Sequence, residues 1–497
     1  MSHLFRHLKA TSCSRSVVSA MPLRAKILQP EFRAFANRTM ATAGPSPSSE
    51  DEVKFTSTGS VRSIILNRPK KLNSLNHNMV ELIVPRLLEW SKSDQAKIII
   101  LKGEGEKSLC AGGDVAALAA GINEKGQQGS IEAAQYFHDE YQLDHLIATY
   151  PKPFVALQDG ITMGGGVGLS IHAPFRVATE KTLFAMPETN IGFFPDVGAT
   201  FFLPRLLDGQ LGVYLGLTSA RLKGYDAFYA GIATHYVPSN RIPDLEARLS
   251  ELSTSSSAIA NTEDLYQVIN TTINDFTETV DNYKFPITPD QIKLINSAFA
   301  KETVEDIIAA LEADGSEFAL ATKKTILERS PTAVKVALAA IRRGASMDIR
   351  TTLNEEFFLS EQFSHSPDFV EGVTALLIEK RKANWNPPTV DQVTSDVVNS
   401  FFEHRSDSTS PSGIKFFTED SYSEYPHQFG LPSTAQVQAF VTGESSTRDF
   451  KATREEIVSH FVDATNGKYG VEQKVNAILD ANTKPDPEHP TLLDWVY

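Results

Sequence analysis

Residues 61–235 predict an α/β fold built on a largely parallel sheet, with a helical region and a mostly helical C-terminal extension after it. Two apolar runs ended by glycine, "KIIILKGEG" (97–105) and "KPFVALQDG" (152–160), have the pattern of strands covered on both faces. With helix-period segments at 76–90 and 130–150 between such runs, the order is strand, helix, strand, helix. From about 240 to 390 the helical period takes over.

The chain opens differently. Residues 1–49 carry seven Lys or Arg against one acid, Glu31, with many Ser, Thr and Ala. "HLFRHLK" can place Leu4, Phe5 and Leu8 on one side of a short helix with basic groups on the other. That composition predicts a mitochondrial transit peptide, with a basic arm for RNA or lipid as the alternative. The segment holds +6 of a total charge of −14, leaving −20 for the remainder. So acidic a remainder is a poor general phosphate binder, and an anionic ligand must meet a local basic patch. Cys13 and Cys110 are the only cysteines, which excludes a disulfide scaffold and a four-thiolate metal site. His138, His145 and His172 lack metal-ligand spacing, so no metal is expected.

Each element has a local cause. "ATAGPSPSSEDE" (41–52) reads as a linker and "VRSIILNRP" (61–69) as the first strand. In "NHNMVELIVPRLLEW" (76–90), Met79, Ile83, Leu87 and Trp90 fall at helical spacing, and Pro85 is expected to kink or interrupt the helix. "TVEDIIAALEADG" (303–315), "SPTAVKVALAAIRRG" (330–344) and "SPDFVEGVTALLIEKRK" (366–382) predict helices, the second with proline at its first position. "EHRSDSTSPSG" (403–413) reads as a second linker, and "TREEIVSHFVDATN" (453–466) as the one clear helix of the tail. The expected organisation is a leader at 1–49, a catalytic core at 50–240, a helical region at 241–402 and an extension at 403–497.

Two glycine clusters, "CAGGDV" (110–115) and "GITMGGGVGLS" (160–170), clear side chains from the backbone twice. A P-loop fails because Gly165 is followed by Gly166, not Lys. A dinucleotide fingerprint fails because its third small residue would be Leu169 or Ile171. A carbonyl oxygen fits. A glycine turn that follows a strand and opens a helix aims unpaired N–H groups at it, and two such turns make an oxyanion hole.

"KSLCAGGDV", "GITMGGGVGLS", "FAMPETNIGFFPDVG" and "DFVEGVTALLIEKRK" together resemble the crotonase (enoyl-CoA hydratase/isomerase) superfamily over residues 53–390, and within it the 3-hydroxyisobutyryl-CoA hydrolase branch. The resemblance implies a spiral of ββα turns followed by a helical region. It places the oxyanion hole at the N–H groups of Ala111 and Gly165, with acyl-CoA running along Gly112, Gly113 and Asp114 and past Gly164. Hydratases of the superfamily use two glutamates; here the first position is Gly168 and the second is Glu188. Asp196 supplies a different second carboxylate, and Glu140 matches a further acidic position of the hydrolases. This set implies thioester hydrolysis in valine breakdown, with Glu188 acting on the carbonyl or on water and Asp196 positioning the hydroxyl or the water. CoA is then part of the substrate and no separate cofactor is expected. Arg68, Lys70 and Lys71 are candidates for its phosphates, with "EKRK" (379–382) second. Two alternatives stand beside this: a hydratase or isomerase, and a structural subunit of the mitochondrial small ribosomal subunit, docked through the extension. Cys110 has no histidine nearby in sequence and reads as a packing residue.

Overall fold

In the computed structural model the described residues are 52–254, 262–278, 280, 282–444 and 451–496, and they belong to one compact unit. The leader expected at 1–49 lies outside them. Strands β1 (Val53–Thr58), β2 (Val61–Leu66), β3 (Ile98–Gly103), β5 (Phe154–Gln158), β7 (Phe175–Ala178) and β10 (His235–Tyr236) form a six-stranded sheet in that order. Only the β1–β2 pair is antiparallel. A second sheet takes β4 (Ser108–Cys110), β6 (Ile161–Met163), β8 (Leu183–Ala185) and β9 (Leu222–Lys223). The chain therefore climbs in ββα turns. β3 and β4 lead to the helix Val115–Lys125, and each later pair of strands again gives one strand to each sheet.

The helices that position the site are α1 (His77–Lys92), α2 (Val115–Lys125), α3 (Gln127–Ala148) and α4 (Gly165–Ile171). Helix α1 is capped by Asn76, whose side chain accepts the Met79 N–H, and it runs unbroken through Pro85. That corrects the expected interruption. Pro85 lies on the exposed side, where water can take the carbonyl freed by the missing N–H. Helix α3 is buried along most of its length because other elements cover it on several sides, which explains its weak hydrophobic period. One face of the large sheet is closed by Leu245, Leu249, Tyr266, Ile269 and Ile273, from the helices Ile242–Thr254 and Thr262–Asn274. The helix Pro331–Gly344 starts as its sequence predicts, with Ser330 capping the Ala333 N–H and proline at the first position.

The stretch 403–413, expected as a linker, is instead tied down. Ser408 and Thr409 donate to Glu361, and the Asn354 side chain accepts the Ile414 N–H. Its continuation crosses the back of α3: Gln142 donates to the Lys415 carbonyl at 2.6 Å, and His145 meets the Asp420 carbonyl at 3.0 Å. Ile414 and Phe416 are buried in the main core, and Phe429 stacks on Phe175. Polar composition marks this strap as loop, but it cannot show that those polar groups have buried partners. Beyond it the described residues of the tail hold three helices, Thr434–Thr442, Arg454–Ala464 and Val471–Asn482, with a hairpin of β11 (Thr483–Pro485) and β12 (Leu493–Trp495). Val437, Ile457, Val471, Val475 and Leu479 give it a small core of its own.

Candidate active site

Three short parallel strands end side by side. β4 delivers the Ala111–Asp114 turn, β6 the Gly164–Gly166 turn and β8 the Pro187–Glu188 turn, with Cys110 beside Thr162 and Met163 beside Ala185 in the registers. The long runs at 97–105 and 152–160 do not themselves feed the glycine turns; a second-sheet strand intervenes each time. Pairing in that second sheet is what brings the turns together.

The first turn is fixed by its backbone. Leu75 N–H donates to the Gly112 carbonyl at 2.9 Å, and Asp114 N–H returns to the Leu75 carbonyl at 2.8 Å. Gly112 has φ +105°, which a side chain would strain. The expectation that Ala111 supplies an oxyanion donor is corrected here. Its N–H is already given to the Leu72 carbonyl at 3.1 Å. The N–H of Gly113 has no acceptor among the described residues, and its nitrogen lies 3.3 Å from where a Cβ on Gly165 would stand. Gly165 opens α4, so its own N–H has no partner within that helix. Gly113 and Gly165 are thus the converging pair.

Carboxylates surround this pair. A Cβ on Gly165 would fall 2.3 Å from Glu140 Oε1, and one on Gly164 would fall 2.9 Å from Glu188 Oε1. The two glutamates therefore flank the second glycine turn. Asp196 accepts the Tyr141 hydroxyl at 2.6 Å. Glu140 is 2% exposed, Glu188 and Asp196 5% each, so all three are cut off from bulk water. Burial, reinforced by the Asp196 charge, holds Glu140 and Glu188 well above the usual glutamate range. Burial also lifts Asp196, to about 7, against the opposing hydrogen bond from Tyr141.

Asp196 is held by a strained turn. Val197 has φ +56° and Gly198 φ +82°, and a β-branched residue tolerates the left-handed region poorly. Glu356, from the helix Ile349–Ser364, accepts the Gly198 N–H at 2.6 Å and the Thr200 N–H at 2.9 Å, and so caps the next helix. Phe193 stacks on Phe137 at 5.0 Å and Phe194 on Phe363 at 5.4 Å, fixing the path between Glu188 and Asp196.

The basic candidates divide. Arg68 is committed: it pairs with Asp114 at 2.9 Å and Glu52 at 3.1 Å, and donates to the Ser74 carbonyl at 2.6 Å. It shapes the first turn and is not free for a phosphate, which corrects that expectation. Lys70 and Lys71 stay exposed, and Lys71 reaches only to 4.0 Å of Asp114. In "EKRK", Arg381 is taken by Glu371 and Glu379. A cavity of about 440 Å³ lined by Leu75, Asp114, Leu118 and Tyr136 opens beside the first turn. A wider one of about 730 Å³, lined by Gln127, Ser364 and Arg405, touches none of the site carboxylates. Cys110 is buried with its thiol pushed up to about 12 by desolvation, so it is no nucleophile at neutral pH.

The sequence reading missed Tyr136, Tyr141, Asp144 and Glu356. Tyr136, Glu140 and Asp144 recur every four residues on α3, and that period was a visible signal of one shared face.

Comparison with known proteins agrees with this geometry. Residues 61–402 match the family model described as enoyl-CoA hydratase/isomerase. The small ribosomal subunit protein mS47 of Neurospora crassa is 44% identical over 488 residues, covering 95% of this chain and 93% of that protein. The mitochondrial 3-hydroxyisobutyryl-CoA hydrolase of Xenopus tropicalis is 45% identical over 354 residues, covering 71% of this chain and 89% of that protein. A carnitinyl-CoA dehydratase from Mycobacterium thermoresistibile superposes with a TM-score of 0.65 at 35% identity, over 74% of this chain and all of that one. On these matches the chain belongs to the enoyl-CoA hydratase/isomerase (crotonase) family.

Proposed function

We propose that the chain hydrolyses 3-hydroxyisobutyryl-CoA to 3-hydroxyisobutyrate and CoA, in mitochondria, as a step of valine breakdown. The observation that carries this is the placing of the carboxylates. Glu188 borders the glycine turn, while position 168, where a hydratase of the family would carry its other glutamate, is glycine, and the carboxyl group nearest it is that of Asp144, a shorter side chain from another helix. Hydration needs one group for water and one for the α-proton, whereas thioester cleavage needs a single base or nucleophile and an oxyanion hole. The hydrolase relatives support the same substrate.

The pantetheine arm enters by the cavity at Leu75 and Tyr136, with its phosphates toward Lys70 and Lys71. The thioester oxygen sits against the N–H groups of Gly113 and Gly165. Two routes use this geometry. Glu188 takes a proton from a water whose oxygen attacks the carbonyl carbon, or its carboxylate attacks and the resulting anhydride is opened by water. Either way the tetrahedral oxygen collapses to expel CoA thiolate, which is protonated as it leaves. Asp196, restrained by Tyr141, orders the water. The full-length protein is expected to release free thiol from 3-hydroxyisobutyryl-CoA and to hydrate crotonyl-CoA negligibly, measured by thiol titration and by loss of enoyl absorbance. Hydration without thiol release would defeat the proposal.

One observation favours a second role alongside it. The mS47 relative from Neurospora crassa matches 95% of this chain, beyond the 71% matched by the Xenopus tropicalis hydrolase. We infer a site of attachment to the mitochondrial small ribosomal subunit in the three-helix tail. Removing residues 432–497 leaves the strap, with Ile414 and Phe416, in place. In mitochondrial lysate the full chain is expected to co-sediment with small subunits and this truncation to stay at the top of the gradient, with thiol release retained. Equal sedimentation of both would place attachment elsewhere.

A further inference from the structure

Helix α3 turns Tyr136, Glu140 and Asp144 to one side, and a glycine faces each of them. A Cβ on Gly113 would fall 2.9 Å from the Tyr136 hydroxyl, one on Gly165 2.3 Å from Glu140, and one on Gly168 2.9 and 3.0 Å from the two oxygens of Asp144. Val197, whose Cβ lies 2.6 Å from that same point on Gly168, and Asp144, from another helix, thus share the space beside Gly168. Asp144 is fully buried, and neither carboxylate oxygen has a hydrogen-bond partner among the described residues. A buried, unpartnered carboxyl group is costly against a paired one and needs a reason. Asp196, by contrast, already holds the Tyr141 hydroxyl.

Resting on the hydrolase reading, we propose that Asp144 is the specificity-determining residue that receives the hydroxyl of a 3-hydroxyacyl thioester. Gly165 supplies an oxyanion donor and Gly168 follows within one turn along α4, so Asp144 lies beside the turn that would receive the acyl group. The hydroxyl can donate to the carboxyl group or accept from it, so it supplies the missing partner in either protonation state. An acyl group without the hydroxyl leaves Asp144 unpaired and is rejected for that reason.

The test uses the full chain carrying Glu188→Gln, so that bound thioester persists, and compares 3-hydroxyisobutyryl-CoA with isobutyryl-CoA by calorimetric titration. The hydroxylated ligand is expected to bind at least about tenfold tighter, as a buried hydrogen-bonding site demands. Adding Asp144→Ala should bring the two ligands within about threefold, chiefly by weakening the hydroxylated one. An unchanged ratio, or a ratio lost only with Asp196→Asn, overturns the assignment. Where Asp144→Ala fails to fold, Asp144→Asn keeps the volume but fixes one donor and one acceptor; it should narrow the ratio at least about threefold, and an unchanged ratio again overturns it. Hydroxyl-dependent binding that vanishes with Asp144→Ala, in a wild-type chain that releases no thiol, would defeat the hydrolase reading and leave this assignment standing.

Discussion

Glu188→Gln is expected to lower turnover of 3-hydroxyisobutyryl-CoA by about 10²–10⁴-fold if Glu188 is a general base, and by more if it is the nucleophile. The amide keeps the volume and the hydrogen-bonding reach, so the melting temperature should hold while kcat collapses. The pH profile gives a second readout. Burial raises the Glu188 carboxyl, so its active, ionised form is lost as pH falls through that raised value. The acid limb of kcat/KM should therefore lie above the ordinary glutamate range. It should move when the neighbouring Asp196, itself raised to about 7, is changed to Asn. Near-normal turnover in a folded Glu188→Gln protein would remove Glu188 from the chemistry. Single-turnover hydrolysis in oxygen-18 water then separates the two routes, because an anhydride opened at the enzyme carbonyl leaves label in the peptide that holds Glu188.

Gly165→Ala is expected to be nearly as damaging to activity, with a different signature. The added methyl would stand 2.3 Å from Glu140 Oε1 and 3.3 Å from the Gly113 nitrogen, in the space the thioester oxygen needs. Turnover should fall about 10²–10³-fold, the scale of losing one oxyanion donor. Helix propensity works the other way, since alanine stabilises a helix by about 1 kcal/mol over glycine. A chain that melts no lower than wild type yet barely turns over marks the glycine as kept for chemistry. Loss of folding in step with activity would mark it as a packing residue instead.

Much of this was legible before any coordinates. Apolar runs ended by glycine located the strands, and Ser330 with Pro331 located a helix start, because both signals act within a few residues. The glycine clusters could be read as a carbonyl site by elimination, since a phosphate loop needs specific neighbours that are absent. Through the family resemblance, Glu188 with Gly168 pointed to hydrolysis rather than hydration, which is the reading proposed above.

What escaped the sequence was decided at long range. Whether Ala111 or Gly113 points its N–H into the site depends on Leu72 claiming the first, through a turn nearly forty residues earlier in the chain. Whether Arg68 is free depends on Asp114, brought beside it by folding. Pro85 is tolerated because its side of α1 faces solvent, and the strap at 403–413 is ordered because Glu361 and Asn354 wait beneath it. The sequence by itself determined the alternation of strand and helix and the two glycine turns, and through the family resemblance it pointed to the ββα spiral and to Glu188, Asp196 and Glu140 as candidate acids. Only the tertiary structure decided which N–H groups are unpaired, which cations are spent and that the unpartnered Asp144 faces Gly168. The reason is physical: residue type fixes what a group can donate or accept, but burial and partners decide whether it still has that capacity to offer.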